Sequence, residues 1–148
     1  MRIICLWVLL LIALCGSTPV IAGEAIAVVV ATNHSLEKIS LNELKRIYLR
    51  KSLVNKKGVR WVPVNLNIKD PLRRNFSLIL FSSLPESQND YWSNQYFHGI
   101  NPPKVMVSEE AVLRFVASTS GAIGYVRHSS VDSSVKILLL LHFPRKVD

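Results

Sequence analysis

The residues best suited to chemistry are Asn67, Asp70, Arg73 and Arg74, which surround the point where an apolar strand pattern gives way to a helix pattern. The strand pattern ends near Asn67, and Asp70-Pro71 is a typical helix start, with Asp as the N-cap and Pro as the first helical residue. Helix N-termini at the carboxyl ends of strands commonly bind anions, because their N–H groups and the helix dipole favour negative charge. We therefore predict a site for a small anion, with Arg73 and Arg74 as counter-charges and Asn67 as a donor.

The same residues limit the strength of this predicted site. Pro71 has no N–H to donate, and Asp70 already brings a negative charge to the helix start. A ligand bound on one open surface also remains exposed to solvent, so salt screens its contacts with charged groups. We expect a dissociation constant of about 0.1–10 mM, which corresponds to about 3–5.5 kcal/mol.

Other kinds of chemistry find little support in the sequence. Both cysteines, Cys5 and Cys15, lie in the first fifteen residues, which excludes a disulfide framework, a cysteine zinc site and a thiol nucleophile further along the chain. There is no nucleophile elbow or phosphate-binding glycine loop. No two histidines have the spacing of ligands on one helix face, so we expect solvated or capping roles for all four: His34, His98, His128 and His142. The sequence predicts neither an enzyme nor a metal or cofactor site.

The net charge of +8 makes anionic partners plausible. Nine basic residues cluster around the second strand and helix: Arg46, Arg50, Lys51, Lys56, Lys57, Arg60, Lys69, Arg73 and Arg74. Nucleic-acid binding would need exposed aromatic residues among them, whereas Tyr48, Trp61 and Phe76 occupy apolar positions of their helix or strand. We expect no nucleic-acid partner. A solvated cationic surface, an anion site, or a contact with an acidic protein or a membrane surface remain open.

The first 22 residues have the pattern of a secretory signal peptide. Arg2 precedes an apolar run from Ile3 to Leu14, and Ala22 ends a small-residue cleavage pattern. The run is shorter than the roughly 20 residues that a membrane-spanning helix needs. A membrane anchor and a lipoprotein with Cys15 as the lipid carrier are the alternatives. We expect cleavage after Ala22, a periplasmic protein of residues 23–148, and no membrane span after cleavage.

The remaining chain alternates strand and helix patterns. Residues 25–31 are an uncharged, β-branched run that predicts a buried strand. Ser40 and Glu43 have capping-box spacing before an apolar stripe at Leu41, Leu44, Ile47 and Tyr48. Further strands are predicted at 61–66, 104–107, 122–126 and 135–141, and further helices from about 71, 85 and 108.

Two residues in these patterns predict local details. Pro63 lacks a ladder donor and therefore indicates an edge or bulged strand. Gly121 is placed to stop the helix that Ser108 caps. Together the patterns predict one α/β domain at 23–148, a three-layer lobe with a mixed or mostly parallel sheet flanked by helices.

Several segments, in this order, resemble the phosphate-binding-protein-like family, the substrate-binding components of phosphate ABC transporters. They are Ser-Leu-Asn-Glu-Leu-Lys-Arg-Ile-Tyr-Leu (40–49), Trp-Val-Pro-Val (61–64), Asp-Pro-Leu-Arg (70–73), Tyr-Trp (91–92) and Ser-Gly-Ala-Ile-Gly-Tyr-Val (120–126). The resemblance implies the type II periplasmic binding protein fold. Full-length relatives have two lobes and about twice this length, so it implies a short, single-lobe member. The family's Ser-Gly-Thr loop is replaced here by Asp-Pro-Leu (70–72), so its main phosphate ligands are not carried over.

The sequence supports two functions of different classes. The first is an exported solute-binding-like protein that recognises phosphate or another small oxyanion and works beside an ABC transporter membrane component. The alternative is an exported interaction module that keeps the lobe, has lost the ligand and binds another exported protein.

Overall fold

The computed structural model describes residues 24–143, which are built around one mixed five-stranded sheet. The predicted signal peptide at 1–22 lies outside the described residues. In chain order the elements are β1 (Ile26–Ala31), α1 (Leu41–Tyr48), β2 (Val62–Asn65), α2 (Pro71–Phe81), a 3-10 turn (Pro85–Gln88), α3 (Asn89–Phe97), β3 (Lys104–Val105), α4 (Glu109–Ser118), β4 (Ala122–Arg127), a second 3-10 turn (His128–Ser130) and β5 (Val135–Leu141). The strand order is β3-β2-β4-β1-β5, and the predicted α/β class is confirmed.

The sheet combines a parallel half and an antiparallel half. β2 runs parallel to β3 and β4, whereas β1 is antiparallel to both β4 and β5. The expectation of a mixed sheet is therefore confirmed. Residues 26–30 of β1 are fully buried between β4 and β5, as their uncharged sequence predicts.

Helices cover both faces of the sheet, and two neighbouring residues of β4 show which face each helix takes. Successive residues of a strand point to opposite faces. The Tyr125 ring stacks on Phe76 of α2, with ring centroids 3.8 Å apart. A Cβ on Gly124 would lie 2.6 Å from the Val112 side chain of α4. The predicted three-layer arrangement follows, with α1 and α2 on one face and α4 on the other.

Three of the helices begin at side-chain caps that the sequence predicts. The Ser40 hydroxyl accepts the Glu43 N–H, the Asp70 carboxylate caps α2, and the Ser108 hydroxyl caps α4. α1 then buries Leu44, Ile47 and Tyr48. Leu41, which we expect in the same apolar stripe, is instead 43% exposed, because it lies in the first turn beyond the edge of the core.

The prediction that Pro63 marks an edge or bulged strand is wrong. β2 lies inside the sheet between β3 and β4. The Val62 N–H donates to Gly121 next to β4, so the amide position of the following residue faces β3. β3 begins only opposite Val64. Pro63 is tolerated because its missing donor falls where β3 offers no partner.

Gly121 also has a different role from the predicted helix stop. α4 ends at Ser118 with Thr119 as an extended cap residue. Gly121 leads into β4 with φ of 75°, and a Cβ there would lie 2.0 Å from the Arg60 carbonyl oxygen. The glycine is needed for this close approach to the chain before β2.

Candidate anion-binding site

The carboxyl ends of three strands and the starts of two helices meet at one edge of the sheet. β2, β3 and β4 are mutually parallel, α2 follows β2, and α4 follows β3. We call this edge, formed by residues 65–73, Ser108, Glu109 and Arg127, the carboxyl-end edge. In open α/β sheets this is the edge at which ligands usually bind.

Arg73 is the half-buried cation of this edge. Its guanidinium donates to the Leu66 carbonyl oxygen at 2.8 Å, and it has no carboxylate partner within the described part of the chain. Burial lowers the pKa of Arg73, while Tyr125, Tyr48 and Glu86 partly offset that effect. Partly buried charges are usually paired with an opposite charge. An anion bound at Arg73 would supply the missing negative charge.

The first turn of α2 is mostly occupied by its own cap. An Asp70 carboxylate oxygen accepts the Leu72 N–H at 2.8 Å, and the Asp70 carbonyl accepts the Arg74 N–H. Pro71 has no N–H. Only the Arg73 amide is left in the first turn without an acceptor among residues 24–143.

The other two predicted site residues also have structural partners. The Asn67 side-chain oxygen accepts the Lys69 N–H at 3.0 Å, which closes the turn before α2. Arg74 forms an ion pair with Glu86 of the first 3-10 turn. The backbone N–H of Glu86 and the Arg74 guanidinium lower the pKa of that carboxyl. The structure thus places Asn67, Asp70 and Arg73 around the start of α2 and directs Arg74 to Glu86.

Two residues that the sequence analysis does not single out complete the edge. The Tyr125 hydroxyl donates to the Asn65 side-chain oxygen at 2.9 Å and accepts the Leu66 N–H at 3.3 Å. Burial raises the pKa of Tyr125, so the phenol stays neutral. A polar residue at the last position of β2 is the signal that could have identified Asn65.

The start of α4, at the same edge, is neutralised by the protein itself. Glu109 accepts the Arg127 N–H at 2.7 Å and forms an ion pair with the Arg127 guanidinium. The same guanidinium lies 3.3 Å from Glu24. In the described part of the chain the two arginines of the edge therefore differ, since Arg127 pairs with two carboxylates and Arg73 pairs with none.

The structure divides the predicted basic cluster among several surfaces. Arg73 and Arg74 are at the start of α2, Arg50 and Arg60 line a cleft at the opposite edge, and Lys57 lines a third surface. No three His, Cys, Asp or Glu side chains come together as metal ligands within residues 24–143. Over the same residues, no helix has the length and hydropathy needed to cross a bilayer.

Comparison with solved structures shows which proteins share this architecture. A phosphate ABC transporter substrate-binding protein from Clostridium perfringens, solved with bound phosphate, superimposes with a TM-score of 0.65 at 22% identity. The corresponding values are 0.64 and 17% for an ABC-type phosphate transport receptor from Vibrio cholerae. The chain has the fold of the phosphate-transporter binding proteins. PstS from Borrelia burgdorferi matches it too, with a TM-score of 0.60 at 15% identity.

The extent of the match agrees with the single-lobe resemblance. Each alignment covers 79% of this chain but only 45–47% of the neighbour, so the chain spans less than half the length of these phosphate-transport proteins. Neither family models nor curated proteins match the chain. At these identities the likeness establishes the phosphate-binding-protein fold over about half of that fold's usual length.

Proposed function

We propose that this protein is a non-enzymatic binding protein that recognises a small oxyanion, such as phosphate, at the start of α2. Arg73 is the principal counter-charge, Asn67 is an accessory donor, and Asp70 weakens the site by its own charge. Arg74 adds long-range attraction while it is paired with Glu86. We further propose export through a cleavable signal peptide at 1–22, a periplasmic location, and action beside an ABC transporter membrane component.

The observation that carries this proposal is the charge of Arg73. It is a half-buried guanidinium without a carboxylate partner in residues 24–143, and it lies at the edge where α/β sheets bind ligands. The solved neighbours are named as phosphate-transport binding proteins, and one of them holds phosphate. These names support the choice of an oxyanion and of a binding role.

The alternative function is an exported interaction module that has kept the lobe and lost the ligand. It is favoured by the first turn of α2, where few N–H groups are left for a ligand. Pro71 has no N–H, and the Asp70 carboxylate accepts the N–H of Leu72. Under this alternative, Arg73 serves only to hold the Leu66 carbonyl, and the protein acts through a protein partner.

Titration calorimetry at low salt separates the two functions. The protein purified from cells that express the full chain is titrated with phosphate and with sulfate. We expect millimolar or submillimolar binding that weakens as salt rises, because the contacts are largely electrostatic.

Two variants test the assignment to Arg73. Arg73→Gln should abolish binding, whereas Arg114→Gln, which removes an exposed cation of α4, should leave it unchanged. Submicromolar, salt-insensitive binding that Arg73→Gln does not alter would contradict the proposed site. Absence of any oxyanion binding by the folded protein would favour the interaction module.

A further inference from the structure

A second concave region lies at the opposite edge of the sheet, at the amino ends of β2 and β3. Its volume is about 300 Å³, and its walls are residues 99–104, residues 61–63, Arg50, Leu53 and Arg60. We call it the amino-end cleft. This volume is at the small end of the range of about 300–1,000 Å³ that is typical of small-molecule sites.

The amino-end cleft is cationic. Arg50, Arg60 and Lys104 line it, and none of its lining residues is acidic. None of the three forms an ion pair in the part of the chain that the structure describes, although the Lys104 ammonium lies 5.5 Å from the centre of the Phe115 ring. Like charges around a concavity focus a field that attracts anions.

Arg50 occupies a backbone position that favours glycine. It has φ of 58°, and its N–H donates to the Ile47 carbonyl to end α1. Glycine takes this left-handed conformation without steric cost, so arginine is an uncommon residue at this position. Its guanidinium is half-buried and donates to the Trp61 carbonyl oxygen at 3.1 Å. Burial, and to a smaller extent the charge of Arg60, lower the pKa of Arg50.

The neutral groups of the amino-end cleft indicate which anion fits. Phosphate sites are commonly built from backbone N–H groups. Here Pro63, Pro102 and Pro103 line the walls and have no N–H. Leu53 and Ile100 add apolar surface. The cleft therefore combines guanidinium donors, which can bind a carboxylate through two hydrogen bonds, with apolar walls that can contact an apolar body.

We propose that the amino-end cleft binds a carboxylate carried on a small apolar body, held by the guanidinium groups of Arg50 and Arg60. The carboxylate belongs either to a free organic acid or to an acidic side chain of a partner polypeptide. The site is separate from the oxyanion site at α2 and uses none of its residues.

Nuclear magnetic resonance titration tests the proposal. Phenylacetate is added to the protein purified from cells that express the full chain, with phenylacetamide as the neutral isostere. We expect a saturable shift of the Ile100 and Lys104 backbone amide resonances, which report on two residues of the cleft wall, with phenylacetate and none with phenylacetamide. Equal shifts with both compounds, or no saturation with phenylacetate, would overturn the proposal unless the peptide described below binds.

Charge variants provide the matched comparison. Arg60→Gln removes an exposed cation of the cleft, and losing such a contact should weaken binding about fivefold. Lys51→Gln removes an exposed cation outside the lining and should change affinity by less than about twofold. Equal effects of the two variants would refute the proposed site. Arg73→Gln should leave phenylacetate binding intact. A result that refutes the amino-end cleft can therefore be distinguished from one that refutes the oxyanion site at α2.

A second ligand separates the two sources of the carboxylate. An acetylated Glu-Phe amide presents the same group on a peptide. Binding of phenylacetate alone assigns the site to a free acid, and binding of the peptide alone assigns it to a polypeptide partner. Either result, or binding of both, supports the proposal if Arg60→Gln weakens it, and binding of neither would overturn it.

Discussion

Two helices begin at the same edge of the sheet, and their N-termini are neutralised in opposite ways. At α4, Ser108 caps the helix and the Glu109 carboxylate binds both the N–H and the guanidinium of Arg127. At α2, Asp70 caps the helix, and among the described residues the Arg73 guanidinium bonds to the Leu66 carbonyl oxygen and to no carboxylate. Both ends carry a capping oxygen and a nearby arginine. The difference, within residues 24–143, is that the arginine at α4 is paired with a carboxylate and the arginine at α2 is not.

This comparison indicates which of the two ends has capacity for a ligand. A helix N-terminus and a cation both favour negative charge, so each end requires an anion. At α4 the protein supplies this anion itself, as the Glu109 carboxylate. At α2 the requirement is only partly met by Asp70, and we propose that an external oxyanion meets the rest.

The largest expected effect on stability comes from a substitution that overpacks the contact between β4 and α4. Gly124 faces α4, and its Cβ position lies 2.6 Å from Val112, whereas the neighbouring Tyr125 faces α2. Gly124→Val should therefore lower the free energy of unfolding by about 3 kcal/mol, as expected for overpacking of a core. A urea denaturation midpoint measures this loss. Ala117→Val, at an exposed position of α4, should cost less than about 1 kcal/mol, and equal losses would contradict the packing of α4 on Gly124.

Removing the internal anion of α4 should have the next largest effect. Glu109 is 15% exposed, and Glu109→Gln leaves Arg127 with a weaker partner. We expect a loss of about 1–3 kcal/mol in the free energy of unfolding. Glu110→Gln is the matched control, since Glu110 is 86% exposed and lies 3.9 Å from Arg114, and it should change stability by less than about 0.5 kcal/mol. A negligible effect of Glu109→Gln would remove the contrast between the two helix starts.

The helix caps in this contrast could be predicted from local sequence, whereas the contacts between distant residues could not. The caps at Asp70 and Ser108 are recognisable because a cap acts within a few residues of itself. The ion pair of Glu109 with Arg127 joins residues 18 positions apart, and the bond of Tyr125 to Asn65 joins residues 60 apart. These contacts depend on strand order, which short-range patterns do not specify.

Pro63 illustrates the same limit. Its missing N–H is a local property, and the structure places it where β3 offers no acceptor. The position of β2 inside the sheet is not local, because β3 follows it by about forty residues. The buried run of β1 was predictable because its burial is independent of which strands flank it.

A smaller effect is expected from changing the charge of the α2 cap. Asp70→Ser keeps an oxygen for the Leu72 N–H and removes the negative charge beside Arg73. Phosphate affinity should increase by about twofold to fivefold, measured by calorimetry. Asp90→Ser, in the first turn of α3, is the control and should leave affinity unchanged. Weaker binding by Asp70→Ser would mean that the carboxylate itself takes part in the site.

The smallest expected effect concerns the pair of Arg74 and Glu86. The pKa of Glu86 is lower in the folded protein than in the unfolded chain, because its backbone N–H and Arg74 stabilise the carboxylate. Its contribution to stability is therefore complete above the ordinary carboxyl pKa and is lost as the pH falls through the lowered value. Carboxyl resonances followed by pH titration measure this. A pKa for Glu86 at or above its ordinary value would contradict the ion pair.

The central claim is that an external anion binds at α2 and not at α4. The most direct measurement is a phosphate titration followed by amide resonances, in the wild type and in Arg73→Gln. We predict saturable shifts of the Arg73 amide and guanidinium resonances, little change from Ser108 to Ala111, and loss of the shifts in Arg73→Gln. Shifts centred on Ser108 to Ala111, or shifts that persist in Arg73→Gln, would contradict the account.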